Sequence, residues 1–279
     1  MSNPASNPLF KHFRQPAVYL NLPSKGQYWP EGSIDYPATG DIPVYPMTVK
    51  DEVTLKTPDA LMNGHGMVNV ITSCCPNIKD PLKIPICDLD AILIGIRIAS
   101  YGSDMAITTK CPTCEGPNDN VVDLPTLLDS MPVPTYNDCR IGELTLKFKP
   151  QKFESLNTAN MALFEQQRLI QQISTSSDLT EEQKQEELNK MLPRITDLSV
   201  KSLSQAISEI HTDDGVAVQD PTHIREFIEN ADRKTFDSIK KQIEETAETN
   251  KLSPITIKCD SCQKEYKSEL NFENSNFFV

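Results

Sequence analysis

Four cysteines have the types and spacing to do chemistry. Cys111 and Cys114 stand in Lys110-Cys111-Pro112-Thr113-Cys114-Glu115-Gly116, and Cys259 and Cys262 stand in Lys258-Cys259-Asp260-Ser261-Cys262-Gln263-Lys264. A Cys-x-x-Cys turn aims two thiolates at one metal ion, and two such turns complete a tetrahedral zinc site. A site closed by four thiolates has no position for water, so the expected zinc is structural. It would clamp distant segments and contribute about 10–16 kcal/mol of apparent folding free energy at neutral pH. The competing readings are four ordinary reduced cysteines and a thioredoxin-like redox pair. The redox pair needs a single motif opening a helix in a βαβ unit. Pro112, the β-prone flanks and the presence of two motifs all oppose it. The other cysteines, Cys74, Cys75, Cys87 and Cys139, read as small apolar core residues.

The elements that must position these thiols are short strands. Met105 to Thr109 and Ile255 to Ile257 lead into the two turns. After the second turn, Tyr266, Ser268, Leu270 and Phe272 alternate with Lys267, Glu269 and Asn271, the period of a half-buried strand. Strand, knuckle and strand make a zinc ribbon, here split by half the chain. The expected fold class is α+β: a helical N-terminal unit, a split four-cysteine zinc ribbon and an inserted helical bundle.

Four segments follow from the patterning. Residues 1–41 are rich in Pro, Asn, Ser and Gly and read as an extended N-terminal arm. Within it, Pro23 and Gly26 bracket a turn, and Tyr28 and Trp29 are aromatic anchors for the body or for a neighbouring subunit. Residues 42–150 read as a helical unit plus the first knuckle and a β segment. Thr48 is the expected cap of a helix, Pro58 opens another, and Met67 to Cys75 is a third. Asp88 to Tyr101 is apolar on most sides, which predicts a central core helix capped by Asp88 and stopped by Gly102. Arg97 breaks that pattern and is expected to snorkel or to pair with a core carboxylate. Leu144, Leu146 and Phe148 alternate with Thr145 and Lys147 as a strand.

Residues 151–250 read as a helical insertion. Thr180 and Gln183 fit a capping box, Pro193 is an expected stop or kink, and Ile195, Leu198, Leu203, Ile207 and Ile210 mark one helical face. Self-packing as a bundle is the expectation. Residues 251–279 hold the second knuckle, a strand and a tail ending in Phe277-Phe278-Val279. That apolar tip either tucks back or enters a partner.

Composition narrows the function. The chain has 279 residues, 21 prolines, a hydrophobic fraction of 38% and a formal net charge of −12. An acidic chain gains nothing from phosphate counterion release, and its lysines and arginines lie scattered among carboxylates, so no nucleic-acid partner is expected. The longest apolar run, Ala91 to Ile98, is interrupted by Gly95 and Arg97, so no membrane partner is expected. No phosphate loop, dinucleotide fingerprint, nucleophile elbow or metalloprotease motif is present. A non-enzymatic role is the expectation, with no catalytic residues assigned.

An ordered set of motifs adds a resemblance. Leu22-Pro23-Ser24-Lys25-Gly26, Pro46-Met47-Thr48-Val49-Lys50-Asp51-Glu52, the helix from Ala91 to Gly102 and Cys111-Pro112-Thr113-Cys114 follow one another. This series resembles the baseplate hub and hub-assembly proteins of T4-like contractile-tailed bacteriophages, over residues 18 to 114 and again at the late Cys-x-x-Cys. The resemblance implies a structural or assembly role in the central hub through contacts with other hub proteins, with self-association open. It implies a place in the host cytoplasm during assembly, and in the virion tail baseplate if the protein is retained. Tyr28, Trp29, Phe277 and Phe278 are the expected partner contacts. A zinc-ribbon adaptor in phage transcription or replication is the alternative.

Overall fold

The structure, a computed structural model, describes residues 8–56, 65–175, 180–270 and 275–278. The chain divides into two compact units. One comprises Met1–Pro81, Asp88–Pro132 and Leu252–Val279; the other comprises Leu82–Cys87 and Val133–Lys251.

In the first unit, β1 (Val18–Asn21) pairs antiparallel with β2 (Asp41–Val44), Val18 opposite Val44 and Asn21 opposite Asp41. Alternation puts Leu20, Ile42 and Val44 inside, and Leu22 follows them just beyond β1. Leu20 and Leu22 are therefore part of the core, and β1 and the start of β2 lie within residues 1–41, which corrects the expectation of an extended arm there. Further upstream, Arg14 donates to the Pro46 carbonyl at 2.6 Å, the Ser73 carbonyl at 2.7 Å and the Ser73 hydroxyl at 2.8 Å.

α1 (Val49–Leu55) opens with the expected Thr48 cap, closed into a capping box by Asp51. The helix expected at Pro58 lies outside the described residues. α2 (His65–Cys74) starts two residues before its expected beginning and absorbs Gly66. α3 (Ile86–Tyr101) is the core helix, with Leu89 and Ala91 to Ile96 buried. A Cβ on Gly95 would lie 3.3 Å from Leu20 Cδ2, so the glycine that interrupts the apolar run is where β1 approaches the helix. Gly102 takes φ +93° just past the last turn and stops the helix as expected. Asp88 does not cap α3, because its carboxylate serves the chain at Ser24 and Trp29. β3 (Asp104–Lys110) and β4 (Pro117–Asp123) then form a hairpin, followed by α4 (Leu124–Asp129), capped by Asp123.

The second unit is built on a four-stranded sheet. β5 (Cys139–Ile141) and β6 (Leu144–Phe148) precede α5 (Phe153–Thr175) and α6 (Glu181–Ala206); β7 (Ile207–Thr212) and β8 (Ala217–Val218) precede α7 (Pro221–Asn230) and α8 (Arg233–Thr249). The strand order is β5-β6-β7-β8. Leu146, Phe148, Val200, Leu203, Ile207, Ile210, Ile224, Ile228 and Ile239 form its core. The expected helical bundle over residues 151–250 is thus a helix-and-sheet unit that begins at residue 133 and takes β6 from the preceding segment. Ile207 and Ile210 are strand residues. A register shift at Lys147 and Phe148 sets Lys147 opposite Glu209 and Phe148 opposite Ile207. This bulge leaves two buried isoleucines three residues apart, a spacing that imitates a helix. α6 opens with the expected Thr180–Gln183 capping box and continues through Pro193.

The chain returns to the first unit with a hairpin of β9 (Ile255–Lys258) and β10 (Glu265–Ser268), and a short 3-10 turn over Ser275–Phe278. Tyr266 and Ser268 are half-buried while Glu265 and Lys267 are exposed, the predicted alternation. Phe272 lies outside the described residues. Among the described residues, no helix is long and apolar enough to cross a membrane.

Candidate metal centre

Each cysteine pair sits at the turn of one hairpin, and the two turns share one geometry. In the first, the Glu115 N–H donates to the Cys111 carbonyl at 2.8 Å and the Cys111 N–H to the Gly116 carbonyl at 3.0 Å. In the second, the Gln263 N–H donates to the Cys259 carbonyl at 2.8 Å and the Cys259 N–H to the Lys264 carbonyl at 2.9 Å. Glu115 and Gln263 occupy equivalent positions and both take left-handed backbone, at φ 57° and 61°. The cost of a side chain there is repaid by turning both thiols of a pair to the same side.

The four sulfurs converge. Cys111 Sγ lies 3.7 Å from Cys262 Sγ, Cys114 Sγ lies 3.6 Å from Cys259 Sγ, and all four are within 4.8 Å of one another. Zinc–sulfur bonds of about 2.3 Å in a tetrahedron put ligand sulfurs roughly 3.8 Å apart, so the cluster is the right size for one such ion. Cys111 and Cys259 are buried, Cys262 is half-buried and Cys114 is exposed.

The backbone tunes these thiols. N–H groups of Cys114 and Thr113 lower the Cys111 thiol, and those of Cys262 and Ser261 help hold Cys259 at about 6. At Cys114 the Gly116 N–H pulls downward, but hydrogen bonds to Cys259 and the other sulfurs, with burial, push the thiol up to about 12. Cys259 thus stands ready as a thiolate while Cys114 holds its proton, so a metal that takes all four must displace protons.

Sequence reading missed the residues that hold the two turns together. Asn118, 2% exposed, donates to the Gly116 carbonyl at 3.0 Å and accepts from the Asp260 N–H at 2.8 Å, linking the knuckles through one side chain. The Thr109 and Tyr266 hydroxyls meet at 2.6 Å across the hairpins. A Cβ on Gly116 would fall 3.3 Å from Ser261 Oγ and 3.4 Å from Cys114 Sγ. These partners are about 140 to 160 residues apart in sequence, too far for any local pattern to reveal.

The expected partner-contact residues fall into two groups. Trp29, half-buried, donates from Nε1 to Asp88 Oδ2 at 2.7 Å, and the Ser24 N–H donates to Asp88 Oδ1 at 2.8 Å. The Ser24 hydroxyl also bonds Oδ2. Asp88 is fully buried, and that burial raises its carboxyl above the usual range despite three donors. Lys25 and Gly26 both take positive φ, 52° and 80°, with the Gln27 N–H on the Ser24 carbonyl at 3.0 Å, a tight turn that brings Trp29 back to the helix. Trp29 is thereby an anchor to its own body, and Tyr28 beside it is half-buried.

Phe277 and Phe278 are 4% and 5% exposed, so the tip tucks back and does not offer these rings as a free surface. Arg97, expected to snorkel or meet a carboxylate, instead packs its guanidinium 4.9 Å from the Tyr101 ring centre and 5.9 Å from that of Phe277. Cys74 and Cys75 are fully buried, whereas Cys87 and Cys139 are half-buried. Burial pushes the Cys74 thiol up to about 12, as expected of an inert core cysteine.

No curated protein and no solved structure matches the chain. A family model described as T4 bacteriophage base plate protein matches residues 17–279, from just before β1 through both knuckles. The four-cysteine centre and the fold around it are those of a chain that belongs to the T4 bacteriophage base plate protein family.

Proposed function

We propose that this baseplate protein is a non-enzymatic component of the central hub, or a factor that assembles it, and that its four cysteines hold one structural zinc ion. The observation that carries the reading is the convergence of Cys111, Cys114, Cys259 and Cys262 at tetrahedral spacing in a chain whose family builds baseplates. All four positions around the ion are taken by thiolates, which leaves no site for a substrate or an activated water. The ion fixes two hairpins whose cysteines stand about 150 residues apart in sequence, and so keeps the first unit rigid for neighbours to dock on. The hub assignment rests on the ordered motifs from Leu22 to Cys114.

Co-expression with the other hub proteins of the same phage, followed by affinity capture, tests it. The expected result is retention of at least one hub protein and recovery of assembled hubs. Mass spectrometry of purified particles beside infected-cell lysate separates a resident component from an assembly factor. Infectious tails from a phage lacking the gene, with no hub protein retained in the capture, would overturn the proposal.

A further inference from the structure

In sequence the basic residues lie scattered among carboxylates, but folding gathers three lysines of the second unit around one groove. Its larger part, a cleft of about 210 Å³, is lined by Lys149, Lys152, Gln205, Gln219 and the side chains of Pro150, Ile207 and Ile224. A second hollow of about 140 Å³, with Lys201 and Ser202 on its wall, shares Glu154, Ser155 and Gln205 with the first. Pro150, Ile207 and Ile224 are buried and form an apolar floor, while Lys149, Lys152 and Lys201 are exposed at the rim.

The charge in this groove is not neutralised from within. Its one carboxylate, Glu154, is engaged by Lys83 at 2.6 Å. The same contact, with burial opposing and Lys152 and Lys201 assisting, holds Glu154 below the usual carboxylate range. Lys149, Lys152 and Lys201 have no ion pair among the described residues. Burial lowers the Lys149 ammonium, and the neighbouring Lys152 charge lowers it further. Several other cations of the same unit are paired, as Arg225 is with Asp197 and Glu229. Three ammonium groups without an ion pair, clustered over one apolar floor, give this groove a local positive charge in a chain of net charge −12.

We propose that this groove binds a short acidic segment of a partner protein, with an apolar residue on the Pro150–Ile207–Ile224 floor and carboxylates on Lys149, Lys152 and Lys201. A carboxylate bridging Lys149 and Lys152 relieves their mutual repulsion, so the complex gains more than the sum of two exposed pairs. An acidic peptide suits the site better than a nucleic acid. The groove is short, and a longer polyanion gains little from a chain of net charge −12. The inference stands on the groove alone and is independent of the hub assignment and of zinc.

The test uses the full-length, metal-loaded protein and a fluorescein-labelled peptide of sequence Asp-Glu-Leu-Asp-Glu, followed by fluorescence anisotropy. Saturable binding is expected that weakens about tenfold between low and physiological salt and is lost when the acidic residues are replaced by Asn and Gln. Lys149→Gln with Lys152→Gln should weaken it about tenfold, as should Lys201→Gln with Lys152→Gln, while Lys234→Gln on the exposed face of α8 leaves it unchanged. Circular dichroism of each variant separates lost binding from lost folding, and the two overlapping pairs give a second chance should one pair fail to fold. Absence of binding, or equal binding by the neutral peptide, overturns the proposal. So does stronger competition by a single-stranded DNA pentamer than by unlabelled peptide.

Discussion

Replacing Cys259 by serine removes one of four sulfurs from a position with no solvent exposure. The hydroxyl is a poor zinc ligand, so the remaining three thiols hold metal weakly, and the link between the hairpins is lost. The cross-chain sulfur pairs connect residues 151 and 145 apart in sequence. By the chain-entropy relation for a cross-link, closing a loop of that length restricts the unfolded state by about 5 kcal/mol. For a chain of this size each kcal/mol moves the melting temperature by about 2–4 °C, so Cys259→Ser should melt roughly 10–20 °C below the parent. The assay is elemental analysis of protein purified without chelator, paired with thermal denaturation before and after a strong zinc chelator. The parent should carry one zinc per chain, lose it with proton uptake, and fall to the melting temperature of the variant. Cys139→Ser, in the other unit, should change neither reading. A parent without zinc, or a Cys259→Ser variant that melts within about 2 °C of the parent, would refute the reasoning.

Asp88→Asn keeps the shape of the buried carboxylate but turns an N–H₂ toward Ser24 or Trp29; a loss of about 2–4 kcal/mol in chemical denaturation is expected, with Trp29 fluorescence reporting the change. Asn118→Ala should retain zinc at one per chain yet surrender it faster to a chelator, with about 1–3 kcal/mol of stability lost. Removing residues 133–251 behind a short linker should leave a soluble, metal-binding unit. Asn250 bonds both the N–H and the carbonyl of Thr135, at 2.9 and 3.0 Å, so the cut ends lie close together. Removing residues 152–249 should instead aggregate, because it strips β6 of its partner β7 and uncovers Leu146 and Phe148. Glu209, bonded by His211, Gln219 and Lys147, is held at about 2, below its unfolded value. What this group contributes to stability is therefore complete above the ordinary carboxylate range near 4 and is lost as pH falls toward 2. A carboxyl midpoint near 4 in a nuclear magnetic resonance titration would refute that assignment.

Local physics made part of this protein legible in its sequence. The Cys-x-x-Cys spacing is a property of four consecutive residues, so both knuckles could be read from the chain, as could the strands that flank them. The Thr48 cap, the Thr180 capping box, the largely apolar α3 and its stop at Gly102 depend only on neighbours within a turn or two of helix, and each is present.

What the tertiary structure alone decided concerns partners far apart. Proline-rich, aperiodic residues read as an arm because nothing local shows that Leu20 packs beside Gly95, or that Trp29 meets Asp88. Phe277 and Phe278 could have pointed outward until α1 and Arg97 were seen beside them. A single bulge gave Ile207 and Ile210 a helical spacing inside a strand, and with it turned a predicted bundle into a sheet. The groove of Lys149, Lys152 and Lys201 is invisible in a list of charges, since burial and mutual distance, not count, decide whether a cation lacks a partner. The same holds for the four-cysteine cluster. Sequence supplied two pairs of thiols, and only the hairpin packing through Asn118 and Tyr266 brought them within reach of a single ion.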